Sequence, residues 1–138
     1  MKIKEPKYAY TNVMLIDDSE LDNFINEKTL EANNFAKKVY VHTSAKSALE
    51  FLNNLVTMGS EYSDVYPQII FVDINMPMMD GFQFIDNYKK SSEEHLQKPK
   101  LVILTSSLYN EDRQRANDIS SEILFLNKPL TKAMLDSI

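Results

Sequence analysis

In this sequence three aspartates, a threonine and a lysine each stand at the end of a short apolar run. VMLI (Val13 to Ile16) is followed by Asp17 and Asp18, and QIIFV (Gln68 to Val72) by Asp73. KLVILT closes on Thr105 with Ser106 behind it, and EILFL leads into Asn127, Lys128 and Pro129. If these four run-ends lie together, three carboxylates, a hydroxyl and an ammonium share one site. Two like charges about 4 Å apart repel by roughly 4 kcal/mol at an effective dielectric near 20. Three carboxylates therefore require a cation, or at least one raised pKa. A hard divalent ion such as Mg²⁺ suits them, since it takes oxygen ligands, needs few carboxylates and keeps several waters. A metal, a lysine and a hydroxyl can together stabilise a phosphoryl group in transfer. An aspartate carboxylate can itself be the nucleophile, giving an aspartyl-phosphate.

What would bring these residues together is the alternation of the chain. Apolar runs recur at Val13 to Ile16, Lys38 to His42, Gln68 to Val72, Lys100 to Thr105 and Glu122 to Leu126. Longer amphipathic segments separate them. Leu21, Phe24, Ile25 and Leu30 fall near helical spacing, as do Ala45, Ala48, Leu49 and Leu52. Further helices are expected from Phe82 to Lys90, Asn110 to Asp118 and Thr131 to Ile138. Five strands alternating with helices give an α/β fold, a doubly wound parallel sheet with helices on both faces. Near-continuous apolar strands suit a sheet covered on both sides. In such open sheets ligands bind beyond the carboxyl ends of the strands, where the strand order reverses. The second strand ends in His42 and Thr43, which suggest nothing comparable. Thr57 to Pro67 reads as a solvated connector. No repeat or internal boundary is visible, so residues 1–138 are read as one domain.

Composition removes several other classes. With no cysteine there is no disulfide, thiolate nucleophile or Cys-ligated metal. Two isolated histidines, His42 and His95, argue against a zinc site or a histidine-based catalytic pair, and each is expected to be partly exposed. The formal charge of −5 and the lack of a basic stripe argue against nucleic-acid binding. The start, MKIKEPKYAYTN, lacks the apolar core of a signal peptide, and no apolar run is long enough to span a bilayer. A cytoplasmic protein with no membrane contact is the expectation.

Taken singly, each feature has an ordinary structural explanation. Asp-Asp-Ser after a strand usually starts a helix, with Asp18 or Ser19 as N-cap. Asp followed by Asn, Pro and Gly is usually turn chemistry. A Thr-Ser pair is commonly a cap, and a Lys-Pro a surface strand end. All four at strand ends of one α/β chain are harder to explain that way.

LIDDSE (Leu15 to Glu20), FVDINMPMMDGF (Phe71 to Phe82), VILTSS (Val102 to Ser107) and FLNKPL (Phe125 to Leu130) stand in that order along the chain. With this set the sequence resembles the receiver domain of two-component response regulators, of the single-domain, chemotaxis-regulator-like type. The resemblance implies a flavodoxin-like five-stranded sheet of order 2-1-3-4-5. It implies that Asp73 is the phosphoacceptor, receiving a phosphoryl group from a phosphohistidine on a sensor histidine kinase or histidine phosphotransfer protein. Asp18, Asp73 and the backbone carbonyl of Asn75 would hold Mg²⁺, with Asp17 contributing through water. Thr105 and Lys128 would bind phosphoryl oxygens, and Phe125 occupies the place of a Tyr or Phe switch residue. The Lys128–Pro129 bond is expected to be cis. Asn75 and Ser107 would flank the attacking water and tune dephosphorylation. The region Asn110 to Ile138 would present the altered surface to a downstream protein. No enzymatic activity is expected beyond self-phosphorylation from a donor and self-dephosphorylation.

The sequence departs from the family pattern in three places. Phe125 lacks the hydroxyl of a tyrosine switch, and Ser106 stands where a small residue is expected. The last segment, LTKAMLDSI, is short for the family, which puts dimerisation through a final helix in doubt. The absence of effector sequence favours a single-domain regulator over a piece of a longer one. Two other readings compete. An aspartate-nucleophile phosphatase of the haloacid dehalogenase type would need a second aspartate, as general acid, where Asn75 stands. A phosphorylation-independent interaction module of receiver fold would usually have lost an acidic residue or the lysine, and none is lost here.

Overall fold

The computed structural model describes residues 6–91 and 98–138. His95 lies outside the described residues. Among the described residues there are five strands: β1 (Tyr10–Ile16), β2 (Ala36–His42), β3 (Ile69–Val72), β4 (Lys100–Thr105) and β5 (Leu124–Asn127). The helices are α1 (Glu20–Ala32), α2 (Ala45–Met58), α3 (Gly81–Ser91), α4 (Asn110–Ile119) and α5 (Lys132–Ser137). The strands form one parallel sheet of order β2-β1-β3-β4-β5, as expected. None of these helices is long and apolar enough to cross a membrane.

Strand periodicity divides the core into two layers. Met14 and Ile16 of β1, Ile70 and Val72 of β3 and Ile103 of β4 face the cluster built on α2 and α3. Val13, Leu15, Ile69, Phe71, Val102 and Leu104 alternate with them and face Leu30 of α1 and Leu135 of α5. Both faces are covered, which is why these strands read as unbroken apolar runs.

The structure refines two sequence expectations. Thr57 to Asp64 are exposed, as in a solvated connector, but the stretch carries regular structure. Its first two residues complete α2, and Ser60–Val65 forms a 3-10 helix. Gly59, at φ 97°, ends α2 in a left-handed conformation that glycine tolerates best. Beyond the 3-10 turn Tyr66 is buried, its hydroxyl 2.9 Å from that of Tyr88. The second concerns α1, a helix as expected, whose period left its buried face open. Leu21, Phe24 and Ile25, which gave the helical period, point to solvent, while Asn23, Asn26 and Leu30 are buried. The polar inner stripe has partners: Asn23 Nδ2 donates to the Asp17 carbonyl at 2.8 Å, and Asn26 Oδ1 accepts from Leu130 N at 3.0 Å. The helix is thus tied to the loops after β1 and β5 through side-chain hydrogen bonds.

The loop after β3 turns back closely on itself. Gly81 N donates to the Ile74 carbonyl at 2.8 Å. A Cβ at Gly81 would lie 2.3 Å from the Asp73 carbonyl oxygen, so this glycine answers a close approach of backbone to backbone. Gly81→Ala is expected to lower stability by about 3 kcal/mol, the upper end of overpacking costs. Urea unfolding checks this, and a variant as stable as wild type would show that the loop relaxes freely.

Candidate functional site

The register of the sheet assembles the site. Ile16 pairs with Val72, so Asp17 and Asp73, each one residue further on, emerge side by side. Their backbones continue the ladder, Asp17 N donating to the His42 carbonyl and Asp73 N to that of Ile16. Thr105 pairs with Asn127, and Lys128 N donates to the Thr105 carbonyl at 2.9 Å. Asp17, Asp18 and Asp73 each bring a carboxylate oxygen within 4.8 Å of the others. Asp17 and Asp73 are each only 5% exposed, and Asp18 is open to solvent.

Lys128 is the cation that answers this charge. Its Nζ lies 2.6 Å from Asp17 Oδ2, 2.8 Å from Asp22 Oδ2 and 3.5 Å from Asp73 Oδ2. Burial alone would push the ammonium's pKa down, but the carboxylates of Asp17, Asp22 and Asp73 hold it above the usual lysine range. Asp22 is the member that sequence reading missed. It sits in the first turn of α1, where an acidic residue needs no explanation beyond the helix dipole. The Lys128–Pro129 bond is cis, as expected.

Asp73 is held on several sides. Its Oδ1 accepts from Ile74 N at 2.9 Å, and the Thr105 side chain also favours its charged form. Burial pushes the Asp73 carboxyl up and the neighbouring Asp17 charge adds to this. Lys128, Thr105 and the Ile74 amide pull the other way without cancelling the rise. A hard cation would relieve the same repulsion, and the oxygen-only donor set fits Mg²⁺.

The remaining expected residues fall around this centre. Asn75 is exposed in the loop after β3. Ser107 is buried, and its hydroxyl donates to Asp112 Oδ2 of α4 and accepts from Tyr109 N. Phe125 is half-buried against the α2–α3 side of the core, with the Arg113 guanidinium of α4 4.6 Å from its ring centre. Ser106 is exposed beside the fully buried Thr105. The methionines of the loop divide: Met76 is buried in the core, Met79 packs against it, and Met78 is fully exposed at φ 71°. Ser19, of the two N-cap candidates, caps α1 by accepting from Asp22 N.

The raised Asp73 pKa has a consequence for stability. The fold favours the protonated carboxyl, so that contribution is fully present below its ordinary value of 3.8 and is lost as pH rises through the folded value. In metal-free buffer, Asp73→Asn is expected to raise stability at neutral pH by on the order of 1 kcal/mol. The advantage of the variant should widen as pH rises from about 4. Urea unfolding at several pH values checks this, and a constant gap would contradict it.

Comparison with known proteins agrees with this geometry. The family model described as response regulator receiver domain matches residues 13–138. Response regulator Rcp1 of Synechocystis is 26% identical over 121 residues, 88% of this chain and 76% of that protein. The sensor histidine kinase CheAY of Helicobacter pylori is 29% identical over 126 residues. The hybrid signal transduction histidine kinase L of Dictyostelium discoideum is 26% identical over 137. Although 91% and 98% of the chain is matched, it spans only 14% of CheAY and 7% of kinase L. A two-component response regulator from Cytophaga hutchinsonii superposes with a TM-score of 0.80 at 31% identity, covering 92% of each chain. The receiver domain of the histidine kinase CKI1 from Arabidopsis thaliana, complexed with Mg²⁺ and BeF₃⁻, shares the fold at a TM-score of 0.76 and 19% identity, over 93% of this chain and 91% of that one. By its sheet order, and by a family match over most of its length, this chain belongs to the response regulator receiver domain family.

Proposed function

We propose that this chain accepts a phosphoryl group on Asp73 from a phosphohistidine, with Mg²⁺, and alters a protein-interaction surface in response. The donor is a sensor histidine kinase or a histidine phosphotransfer protein, and the setting is cytoplasmic. The observation that carries this reading is Asp73 itself. A carboxylate 5% exposed is held at the carboxyl edge of the sheet with two further aspartates and a lysine around it. A purely structural aspartate there would gain nothing from such crowding.

In the transfer, one carboxylate oxygen of Asp73 bonds to phosphorus as the phosphorus–nitrogen bond of the donor breaks. The electron pair of that bond returns to the imidazole, whose protonated second nitrogen lets the ring leave neutral. Asp17, Asp18, Asp73 and the Asn75 carbonyl would hold Mg²⁺, which when bound screens the negative charge of the oxygens around phosphorus. Lys128 and the Thr105 hydroxyl then bind phosphoryl oxygens. The new group carries about −1.5 to −2 charges, enough to draw the Thr105 hydroxyl towards it. Phe125, on the strand next to that of Thr105 and with the Arg113 guanidinium over its ring, would follow that movement. The surface of α4, β5 and α5, within Asn110 to Ile138, is thereby biased between two arrangements and offered to a downstream protein.

The test is intact-mass measurement after incubation with acetyl phosphate and Mg²⁺. Wild type is expected to gain one phosphoryl group and Asp73→Asn none. No gain in wild type, or steady multiple turnover of p-nitrophenyl phosphate, would overturn the reading.

Hydrolysis of the phosphorylated state falls to the residues flanking the path of water. Ser107's hydroxyl is engaged with Asp112, whereas the Asn75 side chain is exposed. Substitution of Asn75 is therefore expected to change the phosphorylated lifetime more than Ser107→Ala. Timing phosphate release after donor removal decides it, and lifetimes insensitive to Asn75 would contradict the assignment.

A further inference from the structure

An ammonium group has three N–H donors. In Lys128 two of them are taken at short range, by Asp17 Oδ2 at 2.6 Å and Asp22 Oδ2 at 2.8 Å. The third faces Asp73 Oδ2 at 3.5 Å, too long for a good hydrogen bond. The two short anchors are themselves fixed. Asp17 Oδ1 accepts from Ser19 N at 2.9 Å, and its carbonyl accepts from Asn23 Nδ2. Asp22 is set by the capped first turn of α1, where Ser19 Oγ accepts from its backbone N–H at 3.1 Å. Leu130 N, two residues beyond Lys128, donates to Asn26 Oδ1. One helix therefore holds Lys128 through an ion pair from Asp22 and anchors the chain two residues beyond it through Asn26.

We propose that Asp22 is a positioning residue for phosphoryl binding. Together with Asp17 it orients the Lys128 ammonium so that one N–H is left under-used and directed at the phosphoacceptor. A phosphoryl oxygen on Asp73 would supply the partner that Asp73 itself provides only at long range. Neither Asp17 nor Asp22 then has to release the lysine, so the group needs little reorganisation when the phosphoryl arrives. Asp22 lies outside the cluster of aspartates that approach within 4.8 Å, so its role is separate from metal binding.

This inference rests on the proposed function, and the experiment separates the two. Beryllofluoride binding with Mg²⁺ is measured by fluorine NMR for wild type, Asp22→Ala and Asp22→Asn. Mg²⁺ affinity and thermal unfolding are measured on the same samples. Asp22→Ala is expected to bind beryllofluoride about tenfold more weakly, the size of losing one hydrogen-bonded anchor of a charged group. Asp22→Asn keeps an acceptor oxygen and should fall between that variant and wild type. Mg²⁺ affinity should be retained in both. Beryllofluoride binding by Asp22→Ala equal to wild type would overturn the inference. So would equal losses in the two variants, or a parallel loss of Mg²⁺ affinity. Failure of wild type to bind beryllofluoride would overturn the proposed function itself, and the inference with it.

Discussion

The constraint on which the rest of this structure depends is like-charge repulsion at the carboxyl edge of the sheet. Asp17 and Asp73 leave adjacent strands in register, Asp18 follows at once, and the first two are almost out of water. Such a group needs a cation or a carboxyl held above its ordinary pKa; Lys128 supplies the first and Asp73 shows the second. The position of the lysine fixes much else. The backbone N–H of Lys128 continues the β4–β5 ladder, and Asn26 anchors the chain beyond it. The inner stripe of α1 is polar because it must face these strand ends as well as the core. Stability is given up at Asp73, whose charged form the fold disfavours, and that is the residue assigned the chemistry.

The same constraint shapes the loop after β3. Asp73 must be presented at the edge while the chain turns into α3 within a few residues. Ile74 and Met76 are buried as anchors, and the Ile74 carbonyl accepts from both Met76 N and Gly81 N. Gly81 lets the return strand of the turn pass against the Asp73 carbonyl. Asn75 and Met78 of this loop are exposed, as are Leu108 and Tyr109 of the loop after β4. Asp17, Asp73 and Thr105 are thus buried, while Asp18 and the loops after β3 and β4 open to solvent.

Most of this was legible in the sequence for one reason. In an alternating α/β chain, strand carboxyl ends converge, so Asp17, Asp73, Thr105 and Lys128 could be placed together without knowing a single distance. Asp22 could not, because an acid in a helix's first turn has an adequate local explanation and its partner lies 106 residues away. The buried face of α1 was not legible for a related reason. Periodicity marks where apolar side chains lie on a helix, but not which side meets the protein. Leu21, Phe24 and Ile25 satisfied the period on the outer side, while Asn23 and Asn26 were buried by hydrogen bonds that no pattern of hydropathy records. The Thr57 to Pro67 stretch looked polar enough to be solvated, yet Tyr66 turns inward to meet Tyr88.

The central claim is that Asp73, and neither of the other clustered aspartates, carries the phosphoryl group. Borohydride reduction of the chain after exposure to acetyl phosphate and Mg²⁺ converts an aspartyl-phosphate to homoserine, which peptide mapping then locates. The account predicts homoserine at position 73 alone. Homoserine at Asp17 or Asp18, or at no aspartate of the cluster, would contradict it.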